Sequence, residues 1–132
     1  QRVLRFADWQ PNEEFLDAPA EQIPLRDGEV DVLFSYNALD HGWDILAALT
    51  EVVRVARESY LAFDCKVNQP EHDRLDHYQA VFFEGVKAHL TRLKAEGKIG
   101  TLEMGDLRAL SPGFYFEHNW DYPIFYCILK SQ

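Results

Sequence analysis

The chain has 132 residues, of which 47% are hydrophobic and 14% aromatic. That is one domain's worth of chain, able to bury roughly two-thirds of its unfolded surface, and it excludes general disorder. The net charge is −9, from 22 acidic against 13 basic residues, with no basic patch, so a nucleic acid is not expected as a partner.

No apolar run is long enough to cross a bilayer and no signal-peptide pattern opens the chain, so no membrane partner is expected. Cys65 and Cys127 are too far apart for a paired metal motif or a disulfide framework. They read as buried free thiols of a cytoplasmic protein. The first residue is Gln1 rather than Met, which leaves open whether the chain is a piece of a longer one.

In chain order, Val3–Phe6 has the pattern of a short strand and Gln10-Pro11-Asn12 that of a turn. Residues 15–25 read as a brief apolar start followed by loop, and Arg26–Glu29 as a turn. Val30–Tyr36 is almost continuously apolar and rich in β-formers, as in a strand covered on both faces. Asp44–Arg57 has helical periodicity, with an apolar stripe of Ile45, Leu46, Leu49, Val52, Val53 and Ala56. Asp44 is placed to cap that helix. Tyr60–Asp64 reads as a second buried strand, so the two strands and the helix between them predict a parallel βαβ unit.

Pro70–Glu96 reads as a longer helix with a stripe of Leu75, Tyr78, Phe82, Val86, Leu90 and Leu93, closed by Gly97. His72, Asp73, Asp76 and His77 on it look like a metal cluster, but the two histidines are five apart and fall on different faces, so a solvated polar face is expected. Gly113–Glu117 and Pro123–Leu129 predict a terminal antiparallel hairpin. The fold class is α/β: parallel strands with a C-terminal antiparallel hairpin, flanked by helices.

Three phrases carry a family resemblance. Ala20-Glu21-Gln22-Ile23-Pro24-Leu25 resembles Ala-Glu-x-Leu-Pro-Phe, and Asp27-Gly28-Glu29-Val30-Asp31-Val32-Leu33 resembles Asp-Gly-x-Phe-Asp-x-Val. Ala38-Leu39-Asp40-His41 followed by Leu49-Thr50-Glu51-Val52-Val53-Arg54-Val55 resembles Leu-Glu-His and then Leu-x-Glu-x-x-Arg-Val. In this order and spacing they are similar to the middle of a class I S-adenosylmethionine-dependent methyltransferase, a family whose Rossmann-like sheet also ends in an antiparallel hairpin.

The chain departs from the family at its start. No Gly-x-Gly precedes Gly28, so the glycine-rich cofactor loop is missing, and there is no room for the first two strand–helix units. Ala18-Pro19 and Arg57-Glu58-Ser59 stand where the family has an Asp and a Pro-Gly-Gly turn. Residues 1–132 therefore read as a single truncated domain, the C-terminal half of a methyltransferase.

The resemblance implies that Ser35, Tyr36 and Asn37 border the cofactor and that Ala20 and Glu21 flank its adenine. S-adenosylmethionine is then a cofactor that this isolated chain binds weakly or not at all. Methyl transfer needs alignment and sometimes a base, for which Asp40 and His41 are the candidates. Each also has an ordinary structural reading: His41 and Asp40 as packing and capping residues at a helix start, Tyr36 and Trp43 as core fillers rather than ligand-stacking rings.

Two functions stay open: a methyltransferase completed by an upstream segment or a partner, and a non-catalytic α/β module that has lost its cofactor site. The methyl acceptor is not legible. Without the neighbouring glycine-loop strand, Val30–Tyr36 becomes an edge unless Val3–Phe6 covers it, and a homodimer through that edge, or an exchange of N-terminal segments, is expected.

Overall fold

A computed structural model describes residues 16–65, 81–110 and 124–131. Strand β1 (Val30–Tyr36) leads through a single 3-10 turn (Leu39–His41) into helix α1 (Ile45–Val55) and strand β2 (Ala56–Asp64). Helix α2 (Phe83–Ala95), strand β3 (Thr101–Asp106), the short helix α3 (Leu107–Leu110) and strand β4 (Ile124–Lys130) follow. The sheet order is β1-β2-β4-β3. β1 and β2 are parallel, with Val30 opposite Ala56 and Tyr36 opposite Ala62, whereas β4 is antiparallel to both β2 and β3. The βαβ unit and the antiparallel close are as the sequence predicts.

Asp44 caps α1 as expected: its Oδ1 accepts from the N–H groups of Leu46 (3.0 Å) and Ala47 (3.1 Å). The helix does not reach Arg57. Ala56 is extended (φ −107°, ψ 139°) and opens β2, because strand pairing outweighs local helix propensity there. Arg57 instead donates to Asp31 (2.8 Å) and to the Gly28 carbonyl (3.0 Å). The buried stripe of α1 is also turned from the expected one. Ile45, Ala48, Leu49, Val52 and Val55 are buried, while Leu46 is exposed and Val53 half-buried.

The single helix expected over Pro70–Glu96 is corrected as well. Residues 66–80, with Leu75, Tyr78 and the His72 cluster, lie outside the described residues. Phe82 is extended (φ −98°, ψ 126°), and the helix starts at Phe83. Val81 and Val86 are both in the core, and residues five apart face different ways on one helix, so burying both requires a break between them. At the other end Gly97 (φ 75°) closes the helix as the sequence predicts. Its N–H donates to the Lys94 carbonyl and that of Lys98 to Leu93, the paired bonds of a Schellman turn.

The hairpin partner of β4 is β3, a strand the sequence reading missed. Both edges of β4 are occupied, by β2 and by β3, and Gly113–Glu117 lies outside the described residues, as do Val3–Phe6 and the turn at Gln10–Asn12.

The core lies on one side of the sheet. Leu49 and Val52 of α1 and Val86, Leu90 and Leu93 of α2 pack with Leu61, Phe63, Phe125, Cys127 and Leu129. Phe125 stacks on Phe63 (5.4 Å) and meets the Phe83 ring edge-on (5.1 Å). The opposite face of β1 is open. Val32, Phe34 and Tyr36 are 46%, 75% and 56% exposed, so the expectation of a strand covered on both faces fails among the described residues.

Candidate functional site

The candidate site lies beyond the carboxyl ends of the parallel strands β1 and β2, where open α/β sheets bind ligands. Tyr36 ends β1, exposed, and Ser35 before it is half-buried. Asn37 takes the left-handed conformation (φ 49°), which asparagine tolerates better than most residues, and its N–H donates to the Ala62 carbonyl (2.8 Å). This turn carries the chain into the 3-10 segment, where Asp40 is fully buried and His41 half-buried. His41 Nε2 lies 3.8 Å from Asp40 Oδ2.

Glu21 reaches the same place from the preceding loop. Its Oε1 accepts from the N–H groups of Trp43 (2.6 Å) and Asp44 (2.9 Å), at the N-terminus of α1. Those backbone donors, Asp44 first, hold the carboxyl below its usual range. Gly42 allows the approach, since a Cβ there would lie 2.8 Å from Glu21 Oε1. Ala20 packs against the main core beside it. All seven residues singled out from the sequence are thus gathered around one end of β1, although Glu21 is committed to backbone and Asp40 is enclosed. Trp43 stands exposed at the rim.

A second clamp holds the same loop to α1. Arg54 donates to the carbonyls of Leu25 (2.7 Å) and Ile23 (2.9 Å), to Asp27 (2.8 Å) and to both oxygens of Glu51 (2.8 and 2.7 Å). Glu51 Oε2 in turn accepts from the Ile23 N–H (2.9 Å). The Arg54 hydrogen bonds keep the Glu51 carboxyl below its usual range, and those with Glu51 and Asp27 raise the guanidinium further. The Glu-x-x-Arg phrase on α1 and the Ala-Glu and Asp-Gly phrases before β1 are therefore parts of one structure. Their charged residues pin the loop along α1, from Glu21 at the helix N-terminus to Asp27 beside the start of β1.

Sequence reasoning missed the open face beside this site. There Phe34, Tyr36, Tyr60, Leu107, Tyr126 and Ile128 line a groove of about 310 Å³. Phe34 and Tyr60 stack at 5.0 Å. The alternation of Val32, Phe34 and Tyr36 was the available signal, masked by the equally apolar Leu33 between the first two.

Residues 2–63 match the sequence family described as a methyltransferase domain. No curated protein matches the sequence. Solved structures share the fold at low identity. The [4+2]-cyclase SpnF is 15% identical, with a TM-score of 0.53 over 86% of this chain and 54% of its own. The small RNA methyltransferase HEN1 is 13% identical, with a TM-score of 0.57 over 88% of this chain and 16% of its own. Phosphoethanolamine N-methyltransferase 2 of Haemonchus contortus, in complex with S-adenosyl-L-methionine, is 8% identical, with a TM-score of 0.57 over 86% of this chain and 36% of its own.

The resemblance read from the sequence is thereby shown. The chain carries methyltransferase-domain sequence over residues 2–63 on the Rossmann-like fold of the class I S-adenosylmethionine-dependent methyltransferases. It spans only about half of SpnF and less of the other two. Three such different proteins on one fold also mean that the fold does not choose the reaction or the acceptor.

Proposed function

We propose that this chain is the acceptor-side half of an S-adenosylmethionine-dependent methyltransferase, whose cofactor loop comes from an upstream segment or a partner. The observation that carries the reading is the convergence of Ala20, Glu21, Ser35, Tyr36, Asn37, Asp40 and His41 on the carboxyl end of β1, built from the phrases that match the family.

The residues fit one side of the cofactor. Tyr36 and Trp43 offer exposed rings for an adenine to stack on, and Ala20 and Glu21 form a fixed wall beside them. The side that would take the methionine part has no Gly-x-Gly before Gly28. When bound, the cofactor supplies an electrophilic methyl group. The chain's part is to align an acceptor and to take its proton where one must leave. His41, half-buried, is the candidate base, and its Nε2 faces the enclosed Asp40 Oδ2 at 3.8 Å.

Calorimetric titration of S-adenosylmethionine into the 132-residue chain is expected to show weak binding or none, because the glycine loop that gives close backbone approach is missing. Low-micromolar binding would overturn the half-site reading. Binding that appears only when a segment bearing a Gly-x-Gly loop is added, and that falls in Tyr36→Ala, supports it. A chain that binds no cofactor even then is the non-catalytic α/β module.

A further inference from the structure

We propose that, on the half-site reading above, Gly42 and Glu21 are positioning residues that fix the main chain at Trp43 rather than recognise the ligand. Glu21 Oε1 accepts from the N–H groups of Trp43 (2.6 Å) and Asp44 (2.9 Å), 22 and 23 residues further along the chain. A Cβ on Gly42 would lie 2.8 Å from that same oxygen and 3.3 Å from the Leu39 carbonyl oxygen. Gly42 has φ −73° and ψ 176°, a conformation open to any residue. Glycine is therefore required here by the space that the carboxylate takes, not by backbone conformation.

The neighbouring groups have little freedom to give way. The Gly42 N–H donates to the Leu39 carbonyl (3.2 Å), which fixes the turn that a Cβ would press on. Ala20, next to Glu21, packs against the main core, and Glu51 holds the Ile23 N–H two residues on (2.9 Å). Two carboxylates meet at this helix end. Asp44 Oδ1 takes the N–H groups of Leu46 (3.0 Å) and Ala47 (3.1 Å), so Glu21 and Asp44 together occupy four donors. The helix N-terminus that could hold a ligand's anionic group is thereby filled from within the chain. What this end offers a ligand is the Trp43 ring, 70% exposed, whose main chain is held at its own N–H and at the next.

Such a ring is pre-organised: its root is placed before a ligand arrives, so less ordering is left to binding. The resemblance set Glu21 beside the adenine. The contact falls to Trp43 instead, and Glu21 holds Trp43 in place. The backbone donors that keep the Glu21 carboxyl below its usual range, that of Asp44 first, are part of the same clamp. Glu21→Gln keeps an acceptor oxygen and loses only the charge. Gly42 matters only while the Glu21 carboxylate is in place, and that dependence separates positioning from general packing.

Gly42→Ala and Glu21→Ala are each expected to speed amide exchange at Trp43 and Asp44 by about tenfold or more, with faster motion of the Trp43 indole N–H in NMR relaxation. Glu21→Gln should retain most of the protection. Adding Gly42→Ala to Glu21→Ala should change exchange and urea unfolding little beyond Glu21→Ala alone. Effects that add in full overturn the proposal, as does wild-type exchange at Trp43 in either single variant. Where Gly42→Ala alone does not fold, the double variant decides. It should match Glu21→Ala, because the 2.8 Å contact is gone, and a double variant that does not fold either overturns the proposal. In a chain completed by a Gly-x-Gly segment, Gly42→Ala should weaken S-adenosylmethionine binding as Trp43→Ala does. Wild-type binding by Gly42→Ala where Trp43→Ala weakens it overturns the proposal. No binding by any completed chain overturns the half-site reading instead, and the exchange results still decide whether Gly42 and Glu21 hold Trp43.

Discussion

Arg54 shows how much a single side chain can organise. Its guanidinium ties two carbonyls, Asp27 and Glu51 together across the loop that leads into β1. Arg54→Ala would leave Glu51 and the carbonyls of Ile23 and Leu25 without this donor in a partly buried setting. The expected result is a measurable loss of stability in urea unfolding. Arg54→Lys should restore only part of it, since one ammonium cannot reproduce the forked geometry. Amide exchange at Ile23 should speed up in parallel, because its N–H is held by Glu51. An alanine variant as stable as wild type would mean that the clamp does not hold the loop in solution.

At the scale of elements, α1 and α2 are joined by apolar packing and by one polar pin. Leu49 is fully buried and Leu46 exposed. Leu49→Ala should therefore cost about 2–5 kcal/mol, and Leu46→Ala much less. Equal costs would show that the buried face of α1 is misassigned. The pin is His89. Arg92 can only donate, so His89 Nδ1 accepts from it (3.0 Å) and the ring proton sits on Nε2, which donates to Thr50 Oγ1 (3.0 Å). Thr50 passes its own proton to the Leu46 carbonyl (2.8 Å).

The Arg92 bond requires a neutral ring, because a protonated Nδ1 cannot accept. Burial first, and the Arg92 charge second, lower the His89 pKa, while Asp44 and Glu96 oppose them more weakly. With the folded value depressed, the unfolded chain takes the proton first as pH falls below the ordinary 6.5. Stability should be full above that value, decline below it, and level off once the folded protein is protonated too. His89→Gln should flatten this limb between about pH 7 and 5, leaving only the carboxylates' contribution at lower pH. A variant with the wild-type pH profile would rule out His89 as the group responsible.

For the whole molecule, α1 and α2 close one side of the described sheet, while the other is open over β1 and carries only the small cluster of Ala62 and Ile124 with Leu107 and Tyr126. Cys65 and Cys127 belong to the closed side, both buried as free thiols. Burial pushes the Cys127 thiol up to about 12 and the Cys65 thiol further. Neither forms the reactive thiolate at neutral pH. Iodoacetamide labelling under native conditions should be about 100-fold slower than in urea, with the rate set by opening of the sheet. Rapid labelling of one thiol alone would place a local opening at that end.

The sequence by itself determined the βαβ unit, the Asp44 cap, the Gly97 stop and the last strand. Each rests on local chemistry: apolar periodicity, a short carboxylate next to free N–H groups, a residue free of Cβ, a run of β-formers. It also placed the seven site residues near one strand end, through phrases whose order is itself a spatial statement. Only the tertiary structure decided the rest. Ala56 and Arg57 left the helix because a neighbouring strand claimed them. Val81 and Val86 could share a core only if the helix broke between them. β3, with its Gly105 and three charged or polar residues among six, earns its place only by pairing with β4. Glu21, which the resemblance set beside the adenine, is held by backbone more than twenty residues away, and Glu51 and Arg54 tie the loop before β1 to α1, contacts that no local pattern reveals.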